Sequence, residues 1–180
     1  MVRKLRFHER KLLKKVDFIN WEVDKNLHEV TVMRKFHIQK REDYTKYNEL
    51  SRRIRDIARK IKELDPKDPF RIESTRTLLE KLHAIGLIPT KENLELIDKI
   101  TASRFCRRRL PVIMTRNHMA QHLPGAVKFI EQGHVRIGPD IVNDPAFLVT
   151  RNTEDFISWT DNSAIRRQLL DYQDMETEIV

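Results

Sequence analysis

The chain has 180 residues and carries 35 Lys and Arg against 27 Asp and Glu, a formal net charge of +8 that favours a polyanionic partner. Its single cysteine, Cys106, excludes a disulfide framework within the chain and a multi-cysteine zinc site. No apolar run approaches the roughly 20 residues of a membrane-spanning helix, and the first residues are too charged for a secretory signal. The sequence therefore predicts an intracellular protein without a membrane partner.

The chain opens with a basic segment that has the pattern of an amphipathic helix. Leu12, Leu13, Val16 and Ile19 fall on one side of it. The other side carries candidates for nucleic-acid contact, which are Lys11, Lys14 and Lys15. A solvated helix docked on the body by its leucines is the alternative. A membrane-surface helix is less favoured, because the apolar face is narrow.

Residues 17–40 show no clean helical or strand period. Charged and amide side chains are mixed there with scattered apolar residues, which are Trp21, Val30, Val32, Met33 and Phe36. The sequence therefore predicts an extended segment that lies over the core or over a partner.

A regular pattern begins at Tyr44, where apolar residues step by three and four as far as Leu64. This spacing predicts a helix of about five turns. Its other faces are strongly basic, with Asp56 as the acid among them, and this is more one-sided than solubility requires. Further nucleic-acid contacts are expected from Arg52, Arg55 and Arg59. The stretch DPKDP then ends the helix, because proline and aspartate favour a turn.

Two more helices and a helical turn are predicted before residue 107. The first helix carries the apolar residues Leu78, Leu79, Leu82 and Ile85. Gly86 closes it. A short helix over residues 94–100 follows, and Thr101 or Ser103 would cap a further turn that contains Cys106.

The stretch over residues 107–159 has the pattern of two short helices followed by a strand. Apolar residues recur at helical intervals in its first half. Gly133 can adopt the left-handed conformation that ends the second helix. The next residues alternate in the period of a strand, which places His134 and Arg136 on one face, away from the core.

The remaining constellations do not indicate catalysis, a metal or a cofactor. His118 and His122 have the spacing of one helix face, but no third ligand is evident. Cys106 has no nucleophile turn or oxyanion site near it in the sequence. The four glycines are isolated, so they form no phosphate-cradling loop. The sequence predicts a protein that is not an enzyme and needs no cofactor.

Several segments together carry a family resemblance: the helix from Tyr44 to Leu64, the turn DPKDPFR, and the stretches LLEKLHAIGLI, RRLPVIM and FIEQGHVRIGP. They resemble the small-subunit ribosomal protein S4 family, and within it the nucleolar branch of the U3 small nucleolar ribonucleoprotein. The prolines at 111, 124 and 139 depart from the usual S4-type pattern. The C-terminal DYQDMETEIV also departs, since a ribosomal member is expected to continue into a basic, Gly-rich tail and exposed acid would be repelled by rRNA.

The resemblance implies an α+β fold. A helical N-terminal part would pack with a small S4-type RNA-binding module of two helices and a bent antiparallel sheet. We predict four parts. They are a basic N-terminal helix with an extended segment (residues 1–43), a helical region (44–106), the S4-type module (107–160) and a C-terminal segment with an acidic tail (161–180).

The resemblance further implies that the module binds structured RNA through a basic surface. The residues expected there are Arg107, Arg108, Arg109, Arg116, Lys128, His134 and Arg136. Guanidinium groups pair bidentately with phosphate oxygens, and such a surface reads folded RNA chiefly by its shape and backbone. An ordinary exposed charge is the alternative for each residue, and it is favoured for Lys128 taken alone.

By the same resemblance the protein is expected to be a non-catalytic assembly factor of the nucleolus. It would bind the U3 small nucleolar RNA and precursor rRNA, promote their pairing, and support the early cleavages that yield the small-subunit rRNA. Its implied protein partners are M-phase phosphoprotein 10 and the IMP4 protein. Two alternatives stay open: a structural ribosomal protein of the small subunit, and a protein-interaction scaffold whose basic surface binds an acidic partner.

Overall fold

The protein is helix-rich and carries a small three-stranded sheet. The computed structural model describes residues 3–15 and 23–179. The elements, in chain order, are α1 (Phe7–Lys15), α2 (Val23–Lys35), α3 (Arg41–Glu63), α4 (Pro69–Ile85), α5 (Glu95–Asp98), α6 (Ala102–Cys106), α7 (Leu110–Arg116), α8 (Leu123–Glu131), β1 (Val135–Ile137), β2 (Asp140–Ile141), α9 (Arg151–Glu154), β3 (Ile157–Trp159) and α10 (Ala164–Ile179). Among these described helices, none is long and apolar enough to cross a membrane.

Helix α3 organises the helical half, which comprises residues 23–106. It packs against α4, α5 and α6. Its buried stripe is Tyr44, Tyr47, Ser51, Ala58 and Ile61. The ring of Tyr47 stacks on Phe105 of α6 with 5.6 Å between centroids. The helix predicted from Tyr44 to Leu64 is confirmed, although it begins three residues earlier, at Arg41.

Helix α4 has strong signals at both ends. The side chain of Asp68 accepts a hydrogen bond from the backbone N–H of Phe70 at 2.9 Å, and Pro69 fills the first turn, where it removes no intrahelical bond. At the other end Gly86 is left-handed, with φ of 86°. The predicted end at Gly86 is confirmed. Beyond it, α5 and α6 form as short helices, and Thr101 precedes α6 without making a side-chain capping bond.

The expectation of an extended segment over residues 17–40 is wrong where the structure describes it. Val23–Lys35 is helix α2, and Val32 and Phe36 are buried in the core of the helical half. Four residues separate Val32 and Phe36, so both lie on the face turned toward the core. Arg41 pairs with Glu29 at 2.7 Å, which links α2 to the start of α3. Residues 16–22, including Trp21, lie outside the described residues.

The C-terminal module, residues 107–160, begins with the two predicted helices, α7 and α8. Pro111 and Pro124 each stand in a first turn, as the lost N–H allows. The two helices pack together over a core that continues into the sheet. The fully buried members of that core are Leu110, Ile113, Met114, Ala126, Ile130, Val135 and Val149.

The sheet of the module has the strand order β2-β1-β3, and both pairings are antiparallel. Gly133 is left-handed, with φ of 73°, at the predicted end of α8. Strand β1 follows at once, with Val135 and Ile137 buried and Arg136 half-buried between them. The predicted alternation is therefore confirmed, and the chain has the α+β class that the resemblance implied.

The two ends of the described chain are helical. In α1, Leu12 is 54% exposed, so this leucine does not dock the helix on the body. The predicted apolar positions Val16 and Ile19 fall outside the described residues. Helix α10 occupies most of the C-terminal segment, where the backbone N–H of Ile165 donates to the hydroxyl of Ser163 at 3.3 Å.

Candidate nucleic-acid interface

The predicted basic run at residues 107–109 divides between surface and interior. Arg107 is exposed, whereas Arg108 and Arg109 are only 7% and 4% exposed. The structure therefore corrects the expectation that all three lie on one open surface. The reason is local pairing: the N–H of Val149 donates to the carbonyl of Arg108 at 2.8 Å, and that of Leu110 to Phe147 at 2.9 Å. Both guanidinium groups also pair inside the protein, Arg108 with Glu154 and Arg109 with Asp43.

Arg109 joins the module to the helical half. Its guanidinium lies 3.1 Å from the Asp43 carboxylate and donates to the hydroxyl of Tyr47 at 3.3 Å. Both partners belong to α3. A buried charge is tolerated only when it is paired and hydrogen-bonded, and these contacts supply the pairing. Arg109 thus has a structural role, and it is not part of an exposed basic surface.

Arg108 has a different set of contacts. Its Nε donates to the carbonyl of Val149 at 2.9 Å, and its Nη1 pairs with Glu154 at 2.9 Å. The other oxygen of Glu154 pairs with Arg116, whose side chain is 58% exposed. Burial lowers the pKa of Arg108 from its ordinary value. Glu154 therefore holds one buried arginine and one exposed arginine together.

Two arginines that the sequence did not single out join this group. Arg104, Arg107, Arg108, Arg116 and Arg151 line a cavity of about 400 Å³ together with Gly86 and Glu154. We call it the arginine cavity. Arg104 precedes the predicted run by three residues, so its position was a usable signal. Arg151 comes from α9, more than 40 residues further along the chain, and no local pattern connects it to the others.

The imidazole of His83 is half-buried near Arg151. Burial, followed by the positive charges of Arg151 and Lys91, lowers the pKa of His83 from its usual value. Burial is the larger cause, because a charged imidazole loses hydration there, and the two cations act in the same direction.

His134 and Arg136 lie on the half-buried outer face of the sheet. Arg136 donates to the hydroxyl of Ser158 at 3.1 Å and pairs with Asp161 at 2.8 Å. The ring nitrogen Nδ1 of His134 lies 3.2 Å from the hydroxyl of Ser163. These contacts orient both side chains and offset part of the charge of Arg136. Their role as RNA-binding residues stays a prediction.

The remaining candidates lie on helices. Lys128 of α8, Arg52 of α3 and Lys11 of α1 are exposed. Arg55 donates to the carbonyl of Ser51 at 3.3 Å, and Arg59 pairs with Asp56 at 3.3 Å. Exposed pairs of this kind are weak and leave the guanidinium available to an anion. Lys14 and Lys15 belong to α1, but their side chains lie outside the described residues.

The histidine pair is not placed for metal binding. Helix α7 ends at Arg116, and His118 has a φ of 57°, so His118 and His122 do not share a helix face. Across residues 3–15 and 23–179, no group of three or more metal-ligating side chains comes together. Cys106 is buried, and burial raises its pKa to about 11, which makes it a poor nucleophile at neutral pH.

Two family models match adjoining parts of the chain. Residues 4–107 match the ribosomal protein S4/S9 N-terminal domain, and residues 108–155 match the S4 domain. The human U3 small nucleolar ribonucleoprotein protein IMP3 is 59% identical over 97% of this chain and 95% of its own length. The protein of that name from Saccharomyces cerevisiae is 55% identical over 96% of this chain and 95% of its own length.

A ribosomal relative is more distant. The small ribosomal subunit protein uS4 of Hyperthermus butylicus is 25% identical over 88% of this chain and 89% of its own length. The chain thus combines the two S4-family domains and has more than twice this identity to the nucleolar proteins over nearly all of its length. It belongs to the IMP3 family of U3 small nucleolar ribonucleoprotein proteins, within the wider ribosomal protein S4 family.

Proposed function

We propose that the protein is a non-catalytic RNA-binding assembly factor of small-subunit ribosome biogenesis. It binds the U3 small nucleolar RNA and precursor rRNA, promotes their pairing, and supports the early processing that yields 18S rRNA. The observation that carries the proposal is the near-full-length identity to proteins named as components of the U3 small nucleolar ribonucleoprotein. The S4 domain over residues 108–155 supports RNA as the ligand.

The physical basis of the proposal is charge neutralisation. Two RNA strands repel each other, and a basic protein that contacts both lowers this repulsion while it holds them in register. The chain presents suitable cations in two places, on α3 and around the arginine cavity. Arg52 is exposed on α3, and Arg107 is exposed beside the cavity.

The implied location and protein partners follow from the same family. The name of the relatives places them in a small nucleolar ribonucleoprotein, and we extend a nucleolar location to this chain. We also propose M-phase phosphoprotein 10 and the IMP4 protein as partners. A ribosomal protein retained in mature subunits is less well supported, because identity to the uS4 relative is 25%. Sedimentation separates the two, since an assembly factor is absent from mature cytoplasmic subunits.

An annealing assay tests the proposed function. Short U3 and precursor-rRNA strands carry a donor and an acceptor dye, and energy transfer reports their pairing. The protein is expected to accelerate pairing beyond the rate that salt alone gives, because it screens both backbones at once. The absence of any acceleration over salt alone would refute the pairing role. An acidic protein in place of RNA tests the scaffold alternative.

Charge variants show whether α3 takes part. Replacing Arg52, Arg55 and Arg59 with Gln should weaken duplex binding and reduce the slope of log affinity against log salt by about 0.9 for each phosphate that the variant no longer binds. Arg76→Gln on α4 is the matched control, since Arg76 is exposed and pairs with Glu80 at 3.0 Å. Equal slopes for the two variants would exclude α3 from the RNA interface.

A further inference from the structure

We propose that the arginine cavity is a built phosphate site that holds one backbone phosphate of the bound RNA. The inference rests on the proposed function, because it takes RNA as the ligand. It adds a defined anchoring point formed by the last residue of the α4 cap, helices α6, α7 and α9, and the link between α6 and α7. Arg104 and Arg151 become binding residues by this proposal.

The charged residues that line the arginine cavity are mostly cationic. Among the described residues that line it, five are arginines and one, Glu154, is acidic. That carboxylate is shared between Arg108 and Arg116. Arg151 donates to the backbone carbonyl of Ile88 at 2.9 Å, so its positive charge is hydrogen-bonded without being neutralised. The cavity therefore keeps a large excess of positive charge, which an anion would offset.

One buried donor of Arg108 has no protein partner among the described residues. Nε and Nη1 of Arg108 are satisfied by Val149 and Glu154. Its Nη2 is fully buried and has no hydrogen-bond partner among the described residues. Arg108 is 7% exposed and lines the cavity. An unsatisfied buried donor on a charged group is costly, and an acceptor placed against it would remove that cost.

The side chain of Arg108 is held in place by its neighbours. A Cβ on Gly86 would lie 2.9 Å from Nε of Arg108 and 3.0 Å from its Cζ. The glycine is left-handed at the end of α4, so the helix end can lie directly against the guanidinium. With Val149 and Glu154 on its other edges, the guanidinium is fixed before any ligand binds. Such preorganisation favours affinity.

The size and opening of the cavity suit a phosphodiester of RNA. Its volume of about 400 Å³ is far larger than the roughly 30 Å³ of one water, so it accepts a polyatomic anion. Planar guanidinium groups match phosphate oxygens bidentately. Arg107 and Arg116 are exposed at the rim, where they can contact neighbouring phosphates of the same strand.

The test uses the full chain and a fluorescent U3–precursor-rRNA duplex. Arg104→Gln together with Arg107→Gln removes two cavity cations that have no assigned structural contact. This double variant should bind the duplex about tenfold or more weakly, with a salt slope lower by about 0.9 for each phosphate that it no longer binds. Arg76→Gln, which removes an exposed arginine elsewhere, should bind within twofold of the unmodified protein. Thermal unfolding confirms that each variant folds.

RNA with a single methylphosphonate linkage at each position in turn identifies the phosphate. At one position the methylphosphonate should weaken RNA binding by the unmodified protein about tenfold. It should barely weaken binding by the double variant, since the effects of coupled groups are non-additive. Additive losses at every position would overturn the proposal, as would unchanged affinity and slope in the double variant. Failure of the unmodified protein to bind the duplex would instead refute the proposed function.

Competition with inorganic phosphate shows whether the ligand of the cavity is an RNA phosphate or a free anion. Millimolar phosphate should compete with the duplex for the unmodified protein more than chloride of equal ionic strength does. It should have no such extra effect on the double variant. Phosphate that raises the unfolding temperature of the unmodified protein while the double variant keeps full affinity for RNA would assign the cavity to a free anion and overturn the RNA proposal.

Discussion

Glu154 is the carboxylate that the buried Arg108 and the exposed Arg116 share. We predict that Glu154→Ala lowers the free energy of unfolding by about 3 kcal/mol, because removing one partner of a buried pair leaves an uncompensated charge. Urea denaturation measures the change. Glu80→Ala is the matched control: its pair with Arg76 is exposed, so the loss should stay below about 1 kcal/mol. Equal small losses would contradict the buried pairing.

Cys106 should be unreactive in the folded protein. Burial raises its pKa to about 11 from an ordinary value of 9.0, so two pKa units reduce the thiolate fraction at pH 8 roughly a hundredfold. A thiol reagent should therefore modify the native protein at least that much more slowly than the protein in urea. Comparable rates in the two states would show that the thiol is accessible.

The same shift has a consequence for stability at high pH. The unfolded thiol has the lower pKa, so above about pH 9 the unfolded state releases its proton first. The contribution of Cys106 is fully present below pH 9 and is lost as pH rises through about 11, by roughly 2–3 kcal/mol at most. Cys106→Ala should show a smaller decline over this window. An identical decline in both proteins would contradict the assignment.

The residue scale also shows the limit of sequence reasoning. Three consecutive arginines, Arg107 to Arg109, carry the same local signal, yet one is exposed and two are buried. The burial of Arg108 and Arg109 depends on residues far away in the chain. The partner of Arg109 is Asp43, and the partners of Arg108 are Val149 and Glu154. No period within the run encodes those partners.

Gly125 lies in the first turn of helix α8 and Gly133 lies just beyond its end, and the two positions have opposite requirements. A Cβ at Gly125 meets nothing within 4 Å, whereas Gly133 has φ of 73° and a Cβ there would lie 3.2 Å from Asn143. Gly125→Ala should therefore stabilise the protein by about 0.5–1 kcal/mol, because alanine reduces the entropy of the unfolded chain. Gly133→Ala should destabilise it by about 1–2 kcal/mol. Thermal unfolding measures both changes in stability. Changes of the same sign would contradict the conformations of these two glycines.

Helix α2 should depend on the apolar face that packs it against α3 and the rest of the helical half. Phe36, just beyond its end, is 8% exposed, so Phe36→Ala should cost about 3–5 kcal/mol. Val30→Ala is the control on the same helix, since Val30 is 40% exposed and its loss should cost under about 1 kcal/mol. Unfolding by urea measures both. A small loss at Phe36 would mean that α2 is not docked.

The elements that the sequence predicted well have strong local signals. Helix α3 has a long apolar stripe, and helix α4 has caps at Asp68 and Gly86. Helix α2 was missed because the exposed Val30 and the half-buried Met33 stand close to the buried Val32 and Phe36, which blurs the helical period. Its stability comes from packing on the helical half, which local propensity does not report.

At the scale of the whole molecule, two cores meet at a polar joint. Arg109 of the module bonds to Asp43 and Tyr47 of α3. The neighbouring Arg108 holds the 147–149 segment close by, because its Nε donates to the carbonyl of Val149. Most of the long helices, the first strand and the family resemblance were accessible from sequence, and the sheet followed from the resemblance. The arginine cavity was not, since Gly86, Arg104 and Arg151 meet only through the packing of α4, α6 and α9.

The central claim is that this protein contacts the U3 small nucleolar RNA and precursor rRNA in the assembling particle. Ultraviolet crosslinking in cells, followed by sequencing of the attached RNA, tests it most directly. We expect reads concentrated in U3 and in precursor rRNA where the two can pair, and fewer reads for the Arg104→Gln, Arg107→Gln variant at equal protein level. Reads confined to mature 18S rRNA in cytoplasmic subunits, or no enrichment over an RNA-free control, would contradict the account.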